Sequence, residues 1–261
     1  MHPKIVNNFH IEIFEPLDKE IIETCCSDVS QNQQFHKVHS SINTHVYRYA
    51  HNDIDYYYKV FLQRKWSENL KEKLRGSRAH RSLNGHQVLL EHGFSAPKVL
   101  LLGKKKDYNF ILMESYDHAI ELEKCLLEIY TWDEEKRQRF LQELGTTIGK
   151  LHASGIFHGD LRWRNILIDF ANDQTDIAFI DNERTTLYKN LPKRKRIKNL
   201  VQLYLIAPGK VEVKEQKIFW EYYLNENPQI AQNKAYWEKR ITSKTNKRLD
   251  KKRKKRQKKN K

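Results

Sequence analysis

His158-Gly159-Asp160-Leu161-Arg162-Trp163-Arg164-Asn165-Ile166-Leu167-Ile168-Asp169, followed by the apolar run Ile177-Ala178-Phe179-Ile180 ending on Asp181, decides how the rest of the chain is read. An Asp, an Asn five residues on and a second Asp at the end of a later strand are the groups that phosphoryl transfer asks of a protein. The reaction needs little covalent help, so the site must hold a hydroxyl in line with phosphorus and neutralise charge on the phosphate oxygens. Asp160 would accept the hydroxyl proton. Asn165 would turn its amide oxygen towards Mg²⁺, and Asp181 would add the hard anionic oxygen that this ion prefers. Arg162 would steady the transferring group. A His-Gly-Asp tripeptide alone is more often an ordinary turn, and an Asp after a strand is usually a solvated strand end. The weight lies in the ordered combination and in its setting, an amphipathic helix before the loop and two short strands after it.

That helix is legible in detail. Thr131-Trp132-Asp133-Glu134 reads as a capping box, with Thr131 and Glu134 satisfying amides at the helix start. Phe140, Leu144, Ile148 and Leu151 form one apolar stripe at helical spacing, which is core packing. Gly155 ends the helix just before the loop, and His152 reads as a buried packing residue rather than a base.

The order His-x-Asp-x-x-x-x-Asn is that of a kinase catalytic loop. Leu161-Arg162-Trp163-Arg164-Asn165-Ile166-Leu167 further resembles the signature of bacterial lipopolysaccharide kinases, which phosphorylate heptose or 3-deoxy-D-manno-octulosonic acid (Kdo) sugars of the inner core. Typical protein kinases carry Pro at the position of Trp163 and Asp-Phe-Gly where this chain has Asp181-Asn182-Glu183. Ser77 to His86 and Gly93-Phe94-Ser95-Ala96-Pro97 are similar to a helix and turn in the same family's small lobe. The resemblance covers residues 40 to 225. It implies an α+β, two-lobed protein-kinase-like fold with a small antiparallel β lobe and a mainly helical lobe. It also implies ATP and Mg²⁺ as cofactors, a lipid-linked sugar acceptor on the lipopolysaccharide precursor, and a cytoplasmic enzyme peripheral on the inner membrane.

The first half agrees in outline. Val46 to Tyr49 and Tyr56 to Phe61 are aromatic and β-branched runs joined by His51-Asn52-Asp53-Ile54-Asp55, which predicts a hairpin. Lys59 lies inside the second strand. It is either an edge-strand charge facing water or, as its distance ahead of the loop favours, the ammonium that binds nucleotide phosphates. Val99 to Leu102 and Phe110 to Glu114 flank Gly103 to Asp107 as a second hairpin, with Glu114 at the hinge that meets adenine. The expected organisation is a small lobe over 1–114, a catalytic lobe over 115–243 and a basic tail over 244–261. A short helix is expected over Ala119 to Tyr130.

The chain departs from the kinase pattern in several places. It has no Gly-x-Gly-x-x-Gly before Lys59, so Ser40-Ser41-Ile42-Asn43-Thr44 would cover the phosphates. Ser82 falls near the position of the usual helix glutamate, leaving Glu68, Glu72 and Glu91 as candidates, and Ala207-Pro208-Gly209 reads as an ordinary turn. These departures keep two rivals open: a kinase for another small molecule or protein, and a catalytically silent kinase fold that binds RNA or a partner.

With 261 residues and 39% hydrophobic content the chain can bury one two-lobed core. No stretch is long and apolar enough to span a bilayer, and the start lacks a signal-peptide pattern. Cys25, Cys26 and Cys125 make neither a disulfide framework nor a zinc quartet. The charge is concentrated. Residues 244 to 261 hold 12 Lys or Arg against one Asp, a net of +11, so +4 of the total +15 belongs to the rest. Such a run is expected to be disordered and to meet an anionic membrane surface rather than nucleic acid. Lys189, Lys193, Arg194, Lys195, Arg196 and Lys198 form a second basic cluster, expected near the mouth where an anionic acceptor enters. Asn199 to Tyr204 and Lys214 to Tyr223 read as helices closing the catalytic lobe.

Overall fold

The computed structural model describes residues 4–29, 32–62, 76–116, 118–170, 175–205 and 211–258. The chain divides into two compact units, one of residues 1–87 and 96–117, the other of 88–95 and 118–261. The first unit contains β1 (Lys4–Val6), β2 (Phe9–Ile13), α1 (Lys19–Cys25), β3 (Phe35–Ser40), β4 (Thr44–His51) and β5 (Ile54–Leu62). After them come α2 (Arg78–Glu91), whose last residues belong to the second unit, β6 (Val99–Lys105) and β7 (Tyr108–Glu114). The seven strands form one antiparallel sheet in the order β1-β2-β6-β7-β5-β4-β3.

Period-two alternation explains why both faces of this sheet are buried. Tyr56, Tyr58 and Val60 of β5 join Phe9, Phe35 and Phe110 in a cluster closed by Ile21 and Cys25 of α1. Phe61, Leu102 and Ile111 face the other way and meet Ala79 and Leu83 of α2. Fully burying each large side chain contributes roughly 1.5–3 kcal/mol, and the rings add contacts of their own, Tyr58 on Phe110 at 4.6 Å and Phe35 on Tyr49 at 4.9 Å. The three cysteines are free and buried, and burial pushes the Cys26 and Cys125 thiols up to about 12, so they stay protonated.

The two predicted hairpins are present with tighter turns than the sequence suggests. β4 and β5 join through Asn52 (φ 49°) and Asp53 (φ 60°), a two-residue turn whose twist matches the strands and whose left-handed backbone Asn and Asp tolerate. In the second hairpin Gly103 is not a turn residue. It pairs with Phe110 in mid-sheet, and a Cβ there would lie 2.1 Å from the Phe110 ring, which is fully buried. The glycine gives that ring its seat.

The second unit contains β8 (Ile120–Glu121), α3 (Leu122–Glu128), α4 (Glu134–Ala153), β9 (Ile156–Phe157), β10 (Ile166–Asp169), β11 (Asp176–Phe179) and β12 (Thr186–Leu187). α5 (Lys193–Tyr204), α6 (Val213–Asn225), α7 (Pro228–Ala231) and α8 (Lys234–Gln257) complete it. α4 packs along α6, and α5 along α8. The expected stripe of α4, Phe140, Leu144, Ile148 and Leu151, is buried throughout. Short sheets β11-β10-β8 and β12-β9 surround the loop. The segment ending at Ser95 is tied into this unit, because the Phe179 amide donates to the Ser95 carbonyl at 2.9 Å.

Two expectations are corrected. α4 is capped by Asp133, whose carboxylate accepts from the Lys136 amide at 2.8 Å, while the Thr131 hydroxyl turns back to the Glu128 carbonyl. Asp133 lies three residues before Lys136, the spacing a cap needs, so Thr131 falls outside the helix. The segment read as a disordered tail from 244 is helical to Gln257, as the continuation of α8. Trp237, Ile241 and Thr245 bury one side of that helix at four-residue spacing, and Lys and Arg are good helix formers that carry it onward once it is nucleated. Glu68, Glu72 and Ala207-Pro208-Gly209 lie outside the described residues.

Replacing Gly103 by Val should destabilise the protein by about 1–3 kcal/mol, because the Phe110 ring has no free volume into which to retreat. Urea unfolding followed by circular dichroism measures this, and an unchanged midpoint would show that the ring can be seated elsewhere.

Candidate active site

The site begins where α4 ends. Gly155 turns the chain (φ 80°), β9 brings it to His158, and the residues to Asn165 form a closed loop rather than an extended one. His158 is fully buried and bonded through both ring nitrogens. Nε2 donates to the Ile180 carbonyl at 3.1 Å, and Nδ1 accepts from the Asp160 amide at 3.3 Å. Burial pushes its pKa down, keeping the ring neutral and able to do both. Gly159 is required by crowding, since a Cβ there would meet Cβ of Arg184 at 2.0 Å. Next to it, Trp163 is buried and, with Leu122, Leu126 and Leu203, lines an apolar cavity of about 200 Å³, which anchors the loop's far side.

Asp160, Arg162 and Asn165 are brought together by this loop. The Asp160 carbonyl accepts from the Arg162 amide and from Nδ2 of Asn165, both at 2.8 Å. With its nitrogen committed, Asn165 has its amide oxygen to offer a cation. The Asp160 carboxylate takes two donors on Oδ1, Nε2 of Gln202 at 2.8 Å and Nε of Arg162 at 2.7 Å. Asp181 arrives through β11, and the Ile180 amide donates to the Asn165 carbonyl at 3.0 Å, which fixes the two chain segments side by side. Asp181 adopts a left-handed backbone (φ 63°, ψ 45°), a conformation that a non-glycine residue holds only where its surroundings demand it.

The cations of α5 lie beside this loop, and they divide into two kinds. Nζ of Lys198 donates to the Gly159 carbonyl at 3.2 Å, and Lys195 and Lys198 sit over the Phe157 ring at 4.6 and 5.0 Å. Burial first, then Lys195, Arg184 and Arg248 of α8 among its neighbours, lower the Lys198 pKa, so several positive groups crowd one spot. Arg196 is different. Grouped with the surface cluster in the sequence reading, it is 5% exposed, because its guanidinium bonds Tyr223, Asn227 and the His152 carbonyl. His152 is buried as expected, and its pKa falls to about 3 through burial and the Arg196 charge. Gln202 and Asn199, which contact the loop directly, were missed in the sequence. The available signal was two amide side chains three apart among Ile197, Leu200, Val201 and Leu203.

In the first unit Lys59 lies in β5 between β4 and β7, paired with Val46 and Ile111, which rules out the edge-strand alternative. Its Nζ sits 5.3 Å from the Phe61 ring, and the Arg78 guanidinium lies 5.0 Å from the same ring, so two cations share one aromatic platform. Arg78, another residue that sequence reasoning missed, also donates to the Asn43 carbonyl and the Thr44 hydroxyl. Between them the β3–β4 turn is closed by the Ser41 amide on the Thr44 carbonyl at 2.8 Å, so that amide is spent inside the turn. Glu114 ends β7, with Lys98 at 3.8 Å. Ser82 is buried, and Glu91 is the exposed last residue of α2.

The chain is similar to several known proteins. A solved structure of WaaP in complex with acyl carrier protein superposes with a TM-score of 0.60 at 18% identity, over 82% of this chain and 88% of that one. A crystal structure of WbdD gives 0.50 at 18% identity, over 80% of this chain and 50% of that one. The fold is therefore the two-lobed α+β kinase-like fold. Among curated proteins the KEOPS complex subunit Bud32 of Pyrococcus abyssi (strain GE5 / Orsay) is 32% identical over 96 residues, 37% of this chain and 41% of that protein's length. The sequence profile of the lipopolysaccharide kinase (Kdo/WaaP) family matches residues 29–223, from before β3 to near the end of α6 with the whole loop inside, and the chain belongs to that family.

Proposed function

We propose that the protein transfers the γ-phosphoryl group of ATP to a sugar hydroxyl, heptose or Kdo, of the lipopolysaccharide precursor. The observation that carries this reading is the Asp160 carboxylate, held by Gln202 and Arg162 within a loop that also presents the Asn165 amide oxygen beside the strand ending at Asp181. Family membership supports the acceptor class. We assign residues 1–114 to a lobe that binds nucleotide phosphates, with Lys59 and Arg78 as its cations and Glu114 at the adenine end. Residues 115–243 form the catalytic lobe.

Asp160 accepts the proton of the acceptor hydroxyl, and its fixed carboxylate orients that oxygen towards phosphorus. Arg162, 63% exposed beside it, can swing from the carboxylate to the transferring group without leaving the loop. Asn165 and Asp181 supply hard oxygen donors, which suit Mg²⁺; that ion takes one or two protein oxygens and completes its shell from phosphates and water. When bound, it neutralises charge on the phosphate oxygens. Lys195, Lys198 and Arg184 face an acceptor that carries phosphates and carboxylates of its own.

The basic end of α8 suits an anionic membrane surface. Residues 251 to 256 are six consecutive Lys or Arg, exposed and without interleaved aromatic rings on which bases could stack. No helix among the described residues is long and apolar enough to cross a membrane, so contact with the leaflet would be made from its surface.

Asp160→Asn and Asp181→Asn, both close in shape to the native side chain, should each lower phosphate transfer from radiolabelled ATP to purified inner-core lipopolysaccharide by about a hundredfold or more, with melting temperature unchanged. Near-normal turnover in either variant would remove the kinase reading. Lys59→Ala should weaken MgATP binding, measured calorimetrically, while the first unit stays folded. Unchanged binding with a large stability loss would make Lys59 structural. Glutamine at all six positions from 251 to 256 should reduce sedimentation with anionic liposomes, since each charge contributes up to about 1 kcal/mol there, and leave turnover on delipidated core oligosaccharide unchanged. Retained liposome binding with lost RNA binding would assign the segment to nucleic acid.

A further inference from the structure

A line of buried side chains runs from Arg196 to the carboxylate of Asp160, and its direction is fixed at both ends. Arg196 has donors only, so its NH1 must donate to the Tyr223 hydroxyl at 2.9 Å. That leaves the one hydroxyl proton of Tyr223 for Nδ1 of His152, 2.9 Å away. At the other end the His158 carbonyl accepts only, so Asn199 must turn its Nδ2 towards it and its Oδ1 towards Nε2 of His152 at 3.2 Å. His152 must therefore carry a proton on Nε2, and with burial and the Arg196 charge lowering its pKa to about 3 the ring is neutral, which leaves Nδ1 to accept from Tyr223. The same Nδ2 of Asn199 reaches Oε1 of Gln202 at 3.2 Å, which sets the Gln202 amide so that Nε2 donates to Oδ1 of Asp160 at 2.8 Å. Five donors point the same way, from a buried cation to a carboxylate. Hydrogen bonds aligned head to tail polarise one another, and more so away from water.

We propose that Gln202 is a positioning residue for Asp160, held in its donating orientation by Asn199, His152, Tyr223 and Arg196, and that this chain makes Oδ2 of Asp160 the oxygen presented to the acceptor hydroxyl. Oδ1 takes both Gln202 and Arg162, so the two carboxylate oxygens are inequivalent before any substrate arrives. The spacing on α5 makes the arrangement possible, since Arg196, Asn199 and Gln202 are three apart and share its buried side. An amide has no charge to lose and no second rotamer that satisfies both neighbours, so it holds the carboxylate at every pH at which the fold survives. A lysine at that place would compete for the proton.

The kinetic part of this inference rests on the kinase reading, and the experiment separates the two. Gln202→Leu and Gln202→Met each fill the space with neither the donor nor the acceptor. Both should lower kcat by about tenfold to a hundredfold, the range set by a hydrogen bond to a charged group, with the KM for MgATP and the melting temperature nearly unchanged. Tyr223→Phe, at the fourth link from Asp160, should lower kcat a few-fold with the same KM. Delipidated core oligosaccharide is the acceptor probe. Independently of turnover, ¹⁵N spectra of the imidazole nitrogens at neutral pH should show His152 as the neutral tautomer with its proton on Nε2. A Gln202→Met enzyme with wild-type kcat overturns the proposal, and so does a His152 protonated on Nδ1 or on both nitrogens. A wild-type protein without transfer activity but with the expected His152 tautomer would count against the kinase reading alone.

Discussion

A neutral, buried imidazole holds the two halves of the candidate site together. His158 donates to the carbonyl that precedes Asp181 and accepts from the amide of Asp160, so a single ring ties together the segments that carry the two carboxylates. No other state keeps both bonds: protonation removes the acceptor, and the other tautomer presents a lone pair to a carbonyl. Burial, which disfavours the charged ring, is therefore part of the site's construction and not a by-product of packing. The close pass of Arg184 over Gly159 has the same effect from the other side, since it leaves the loop no room to open.

Around this joint, charge is sorted by depth. Arg196 is taken inside and satisfied by neutral oxygens, where replacing one partner would leave a buried cation short of a bond. Lys195 and Lys198, on either side of it along the same helix, keep their ammonium groups over the Phe157 ring beside the loop. Lys193 at the helix start lies over Tyr236 at 4.0 Å and so ties α5 to α8. Helical periodicity alone decides which cation is structural and which is offered to an anion. The sequence shows one basic cluster, and the fold divides it.

The loop that gathers Asp160, Arg162 and Asn165 beside the strand leading to Asp181 was legible because these residues lie close together in the chain, so a local pattern holds nearly all the information. The two hairpins and the stripe of α4 were legible for a similar reason, as period-two and period-3.6 burial leaves its mark within one element. What was hidden is long-range. Gln202 lies forty-two residues from the carboxylate it holds, and the local signal, a second amide three residues earlier in an apolar stretch, does not name that partner. Arg78 meets Thr44 at the start of β4 from thirty-four residues away. The β1–β2 hairpin was missed because its left-handed turn residues, Asn7 and Asn8, join strands too short to show alternation.

The basic C-terminal segment shows how one pattern serves two states. Its composition satisfies the rule for disorder, high charge with few large apolar residues, yet the same Lys and Arg rank among the good helix formers. Nucleation decides between them. An isolated run of this kind lacks a first turn worth forming, whereas here Trp237, Ile241 and Thr245 dock the beginning of α8, so that each later residue adds one backbone bond at little entropic cost. The charge then extends as a rod from the catalytic unit instead of as a coil. A rod holds its cations at fixed spacing, and Arg248, within electrostatic reach of Lys198, links it to the cluster beside the loop. A surface that gathered the basic end of α8 would thus act on the same helix whose buried side supports the His152 network through α5.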